Sequence, residues 1–198
     1  MQSKTHPVLF VPGLGGENAL FRIAANTWKR FGFTPIMHDV VWKDGQQKFE
    51  PKLEKLISRI DAVHASGGII SLVGTSAGGS AVLNAFTKRS NKIHKVVNIC
   101  GRLSAGAQVF PTLETASRSS RSFRESVELF EKTEPNLSNE QRRKILTIRA
   151  VYDETVPIST IPVHGAQNIQ IVSIEHNLSI AAAMTIYASR IARFLLNF

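Results

Sequence analysis

Residues 72 to 81 read LVGTSAGGSA, and Gly74, Ser76 and Gly78 within them make a G-x-S-x-G pattern. A strand that turns straight into a helix crowds its own backbone, so small residues are needed on both sides and the central residue is pushed into a strained conformation. Its hydroxyl then projects above the sheet edge at the amino-terminal end of a helix, where developing negative charge is favoured. "IISLV" before and "GGSAVLNAFTK" after supply the strand and helix the turn requires. A serine hydroxyl is a weak nucleophile near neutral pH and needs a base, usually a histidine oriented by a carboxylate.

Six histidines are available, and their positions separate them. His176 follows "IQIVSI" directly, where a loop at the carboxyl end of the last strand would begin, and reacting groups in open parallel sheets gather at that edge. His164 stands before that strand, and His6, His38, His64 and His94 have no such placement. By the same reasoning the orienting acid should follow the preceding strand. "ILTIRAVYDETVP" offers Asp153 there, with Glu154 as the neighbouring alternative. A tetrahedral intermediate also needs two backbone N–H donors. Ala77, directly after the serine, would supply one, and the "PGLGG" loop would supply the other at Leu14. "GLGGEN" is not a dinucleotide loop, because Asn18 holds the place of the third glycine.

The elements that must position these residues are legible as periodicities. Val8 to Val11 is a short apolar strand, residues 17 to 31 follow a helical period, and "TPIMHDVVW" reads as a second strand. Residues 46 to 65 form an amphipathic helix, and "GGIISLVG" is a strand apolar on both faces. A helix over 77 to 89, the strands "IHKVVNI", "ILTIRAV" and "IQIVSI", and one closing helix through Leu195 complete the alternation. The expected fold is therefore three-layer α/β/α, a mostly parallel six-stranded sheet covered on both sides. The 198 residues suit a single domain, with a short helical insertion at about 101 to 144 that breaks the rhythm.

The formal net charge of +9 invites an anionic partner. The excess is nevertheless diffuse: residues 1 to 101 carry 13 Lys and Arg against 6 Asp and Glu, with no dense basic tract. A solvated basic face fits this better than a nucleic-acid site, which usually shows a clustered stripe. The arginines of "RSSRSFR", residues 118 to 124, read the same way, as a solvated helix face. Cys100 is the only cysteine, so the chain has no internal disulfide and no Cys-rich metal site. The opening "MQSKTHPVLFVPGLGG" is a poor signal peptide and no run of 18 apolar residues occurs, which gives the expectation of a cytoplasmic protein without a membrane span.

Taken together, "VLFVPGLGG", "GTSAGG", "YDETVP" and "EHNLS" resemble the α/β-hydrolase superfamily, in particular its small serine esterases and lipases, and the order Ser, Asp, His agrees with that family's order. The resemblance implies Ser76 as nucleophile, Asp153 as orienting acid, His176 as general base and acid, and Leu14 and Ala77 as oxyanion donors. It implies cleavage of a carboxylic ester or thioester through an acyl-enzyme, on a small and anionic or lipid-like substrate, with no metal or organic cofactor. The same residues also suit an acyltransferase or an amidase, and the fold can persist as a non-catalytic binding domain. Three departures stand out. Pro12 occupies the place where many relatives have histidine, the first two strands of the full family sheet are absent, and residues 101 to 144 stand where larger relatives carry a lid.

Overall fold

The computed structural model describes residues 6–45, 47–66 and 69–197. Six strands, β1 (His6–Val11), β2 (Phe33–Met37), β3 (Ile70–Thr75), β4 (Ile93–Ile99), β5 (Ile145–Ala150) and β6 (Gln167–Ile171), form one sheet in the order β2-β1-β3-β4-β5-β6. Every neighbouring pair is parallel. The sequence alternates αs with βs because each parallel pair needs a crossover, and helices cover both faces: α1 (Ala19–Asn26), α2 (Glu50–Ala65), α3 (Ala77–Arg89), α7 (His176–Met184) and α8 (Ala188–Leu196).

The strand period of two divides the core. On β1, Leu9 and Val11 join one apolar cluster with α2 and α3, while Val8 and Phe10 join another with α7 and α8. Trp28 anchors the second cluster. It is buried, edge-on to Phe10 at 5.1 Å between centroids, and donates its indole N–H to the Met184 carbonyl at 2.8 Å. Burying an aromatic of this size stabilises by roughly 2–3 kcal/mol.

The segment 101–144 carries α4 (Leu113–Ala116), α5 (Arg121–Thr133) and α6 (Asn139–Arg143). Helix α5 lies on α3, where Phe123, Val127 and Phe130 enter the first core cluster and Ser126 meets Ser80 at 2.6 Å between hydroxyls. Arg121 and Arg124 lie on its outer face, paired with Glu125 and Glu128.

Several element boundaries differ from those expected. β2 ends at Met37 and does not run to Trp42, because Asp39 Oδ1 captures the Val41 N–H at 2.8 Å and Val41 turns to φ 54°. The 17–31 helix divides into α1 and a 3₁₀ turn over Thr27–Phe31, stopped by Gly32 at φ 84°. α2 begins at Glu50, with Pro51 in its first turn; Gln46, where the expected helix started, lies outside the described residues, as do Gly67 and Gly68 of the expected third strand. β5 stops one residue early, at Ala150, and β6 spans Gln167–Ile171 instead of 169–174. The expected single closing helix is two, α7 and α8, bent by 57°. Trp28 takes the Met184 carbonyl there, and Tyr187 N–H reaches back to Ala182, so the helical ladder is interrupted.

Candidate active site

The turn from β3 to α3 has the tightness its glycines suggest. A Cβ on Gly74 would fall 2.3 Å from the Gly78 carbonyl oxygen, and one on Gly78 would fall 2.1 Å from that of Val11. Ser76 adopts φ 50°, ψ −127°, a positive-φ conformation that a non-glycine residue holds only when its surroundings impose it. Its N–H donates to the Ile99 carbonyl and its own carbonyl accepts from Gly79, both at 2.9 Å. Glycine is needed on the facing loop too, since a Cβ on Gly13 would stand 2.7 Å from the Ser76 Cβ.

Two other loops meet this turn. Asp153 follows β5, and its side chain is fully buried; Oδ1 accepts the N–H groups of Thr155 and Val156 at 2.9 and 2.8 Å. His176 opens α7, with Glu175 as the N-cap accepting from Asn177 and Leu178. The imidazole of His176 lies between the other two side chains, Nδ1 at 2.7 Å from Asp153 Oδ2 and Nε2 at 2.9 Å from Ser76 Oγ. A carboxylate only accepts, so the network assigns the ring hydrogen to Nδ1 and leaves the Nε2 lone pair for the serine hydroxyl. The three residues, separated by as many as 100 positions in the chain, thus form a continuous line of hydrogen bonds.

Glu154, the alternative acid, has a different partner. Both of its carboxylate oxygens accept the backbone N–H of His176, at 3.1 and 3.3 Å, while the ring belongs to Asp153. Leu14 lines the cleft over Ser76, and Ala77 is the buried first residue of α3, whose N–H has no intrahelical acceptor. Cys100 lies behind the site. Burial, with Asp153 adding to it, pushes its thiol up to about 12, so it stays protonated. The other histidines lie apart: His6 meets Ser71 at 2.9 Å in β3, and the His164 carbonyl accepts from Arg142.

The cleft has a volume of about 330 Å³. Phe21 of α1 and Ile180 of α7 supply apolar wall, and Asn18, Thr155 and Asn177 supply polar groups. Among the described residues neither Lys nor Arg lines it, and neither does any residue of 101–144. One contributor carried no sequence motif. Asp39, just past β2, accepts the Glu17 N–H at 3.1 Å and so fastens the loop that carries Leu14; the apolar run on to Trp42, which suggests a longer strand, hides its place past the strand end.

No family model matches this chain, and no curated protein matches it. Solved structures do. A lipase-esterase related protein from Clostridium acetobutylicum is similar with a TM-score of 0.73 at 15% identity, over 96% of this chain and 95% of that one. A monoacylglycerol lipase from Paleococcus ferrophilus is similar with a TM-score of 0.66 at 16% identity, over 96% and 95%. A carboxylesterase structure from the thaumarchaeon Nitrososphaera gargenis has a TM-score of 0.69 at 11% identity, over 96% and 90%. At such identities the likeness is one of fold.

Proposed function

We propose that this chain, which has the α/β-hydrolase fold, is a serine hydrolase that cleaves a carboxylic ester or thioester through an acyl-enzyme. The observation that carries the proposal is the imidazole of His176 in hydrogen-bond reach of both Ser76 Oγ and Asp153 Oδ2. Ser76 attacks the substrate carbonyl while His176 Nε2 takes its proton. The imidazolium is stabilised by Asp153, whose carboxylate holds the ring in the required tautomer. The N–H groups of Leu14 and Ala77 receive the oxyanion, and one such donor is worth about 3 kcal/mol in enzymes of this chemistry. His176 then protonates the leaving group, and water repeats the cycle on the acyl-enzyme.

Uncharged substrates suit the cleft best, because among the described residues no Lys or Arg lines it. The test is hydrolysis of a panel of short- and long-chain nitrophenyl esters and acyl thioesters by the parent, Ser76→Ala and His176→Ala proteins. Turnover by the parent, with kcat lowered about 10⁴-fold or more in either variant, is expected. For neutral esters kcat/KM should not change with added salt, whereas steering of anionic substrates would make theirs fall. Turnover that survives Ser76→Ala would sink the reading. Product partition in the presence of an added alcohol or amine separates hydrolysis from acyl transfer, and a parent without turnover on any ester would favour a binding domain.

A further inference from the structure

The strained backbone of Ser76 is held from below by a second turn, the one that leaves β4. Asn98, the penultimate residue of that strand, is fully buried, a polar side chain in the otherwise apolar run VVNI. Its amide is spent on one residue: Nδ2–H donates to the Gly101 carbonyl at 2.8 Å, and Oδ1 accepts the Gly101 N–H at 3.1 Å. This two-point clasp closes residues 98–101 into a tight turn, in which Cys100 is forced to φ 52° and Ile99 presents its carbonyl to the Ser76 N–H.

The clasp also touches the elbow directly. A Cβ on Gly101 would fall 2.4 Å from the Ser76 carbonyl oxygen, and a Cβ on Gly79 would fall 1.9 Å from Asn98 Oδ1. The two turns therefore interlock with the Asn98 amide packed at their junction. We infer that Asn98 is a positioning residue for Ser76: by clasping Gly101 it fixes the Ile99 carbonyl and the bed on which the Ser76 peptide rests, and so sets where the hydroxyl stands relative to His176. Asn98 does not line the cleft, so it acts only through Ser76. This inference rests on the proposed role of Ser76 as nucleophile.

Asn98→Asp keeps the acceptor for the Gly101 N–H but sets an oxygen against the Gly101 carbonyl, and Asn98→Ala removes both bonds. For parent and variants, active sites are titrated with a fluorophosphonate and the adducts counted by intact mass, so that rates are expressed per labelled site. The expected result is a kcat per site, and a labelling rate constant, lowered about 10²-fold, as for misplacement by about 1 Å, with KM within about twofold of the parent. Rates per labelled site equal to the parent, with only the labelled fraction or Tm reduced, would overturn it. Failure of both variants to yield soluble protein would overturn it too, since Asn98 would then serve the fold and not one hydroxyl. A parent that takes no label would instead remove the nucleophile assignment beneath it.

Discussion

Asp153 and Glu154 are adjacent carboxylates that hold two parts of one histidine, the ring and the backbone amide. Their substitutions should therefore separate. Asp153→Asn permits the wrong ring tautomer and is expected to lower kcat about 10⁴-fold with little change in KM. Glu154→Gln keeps an acceptor for the part-buried His176 N–H and is expected to cost less than about tenfold; steady-state kinetics on one nitrophenyl ester would distinguish them. The residues Ser76, Asp153 and His176 were legible because each follows an apolar run that must be a strand, and the fold gathers strand ends at one edge. The choice between residues 153 and 154 was not, because both lie in the loop past β5, whose local turn decides which carboxylate meets the ring. Asp39 and Asn98 were missed for a related reason: each braces a loop that is distant in sequence or lies round its own turn, and neither contact leaves a spacing pattern.

At the scale of elements, the interlock of β1, β3, α3 and the turn after β4 leaves no room for a side chain at its glycines. Gly78→Ala would drive a methyl into the Val11 carbonyl, a rigid neighbour, and is expected to destabilise by about 3 kcal/mol or to prevent folding. Helix α5 depends on its cap, since the Ser120 hydroxyl accepts the Phe123 N–H and also donates to the Trp42 carbonyl across 78 residues. Ser120→Ala should cost about 1–2 kcal/mol in urea unfolding, with activity per folded molecule retained. Strand and helix types followed from apolar periods of two and three to four. Their ends did not, because tertiary bonds decide them: Asp39 ends β2 by capturing Val41, and Trp28 divides the last helix by taking the Met184 carbonyl. Apolar periodicity alone runs on through Tyr187, which is why one helix was expected there.

For the molecule as a whole, the basic excess and the cleft are separate features, and charge bears on stability through histidine. His6 is lowered to about 4 by burial and then by His94; His94 is lowered by burial and by Lys95 and Lys144; His38 is lowered by burial and by Arg59. Between about pH 6.5 and 4 the unfolded chain binds a proton at residue 6 that the folded protein does not, so stability rises with pH through that window and is lost on acidification. The Tm should therefore fall from pH 7 to pH 5, and His6→Gln, which can still bond Ser71, should show a smaller fall. An equal fall in parent and variant would assign the acid sensitivity to other groups.

The most direct measurement of the central claim is peptide mapping of the fluorophosphonate adduct on the folded protein. One adduct per chain on the peptide holding Ser76, none in Ser76→Ala, and labelling slowed about 10³-fold or more in His176→Ala are the expected results. A parent left unlabelled, or an adduct that persists at another residue when Ser76 is replaced, would contradict it.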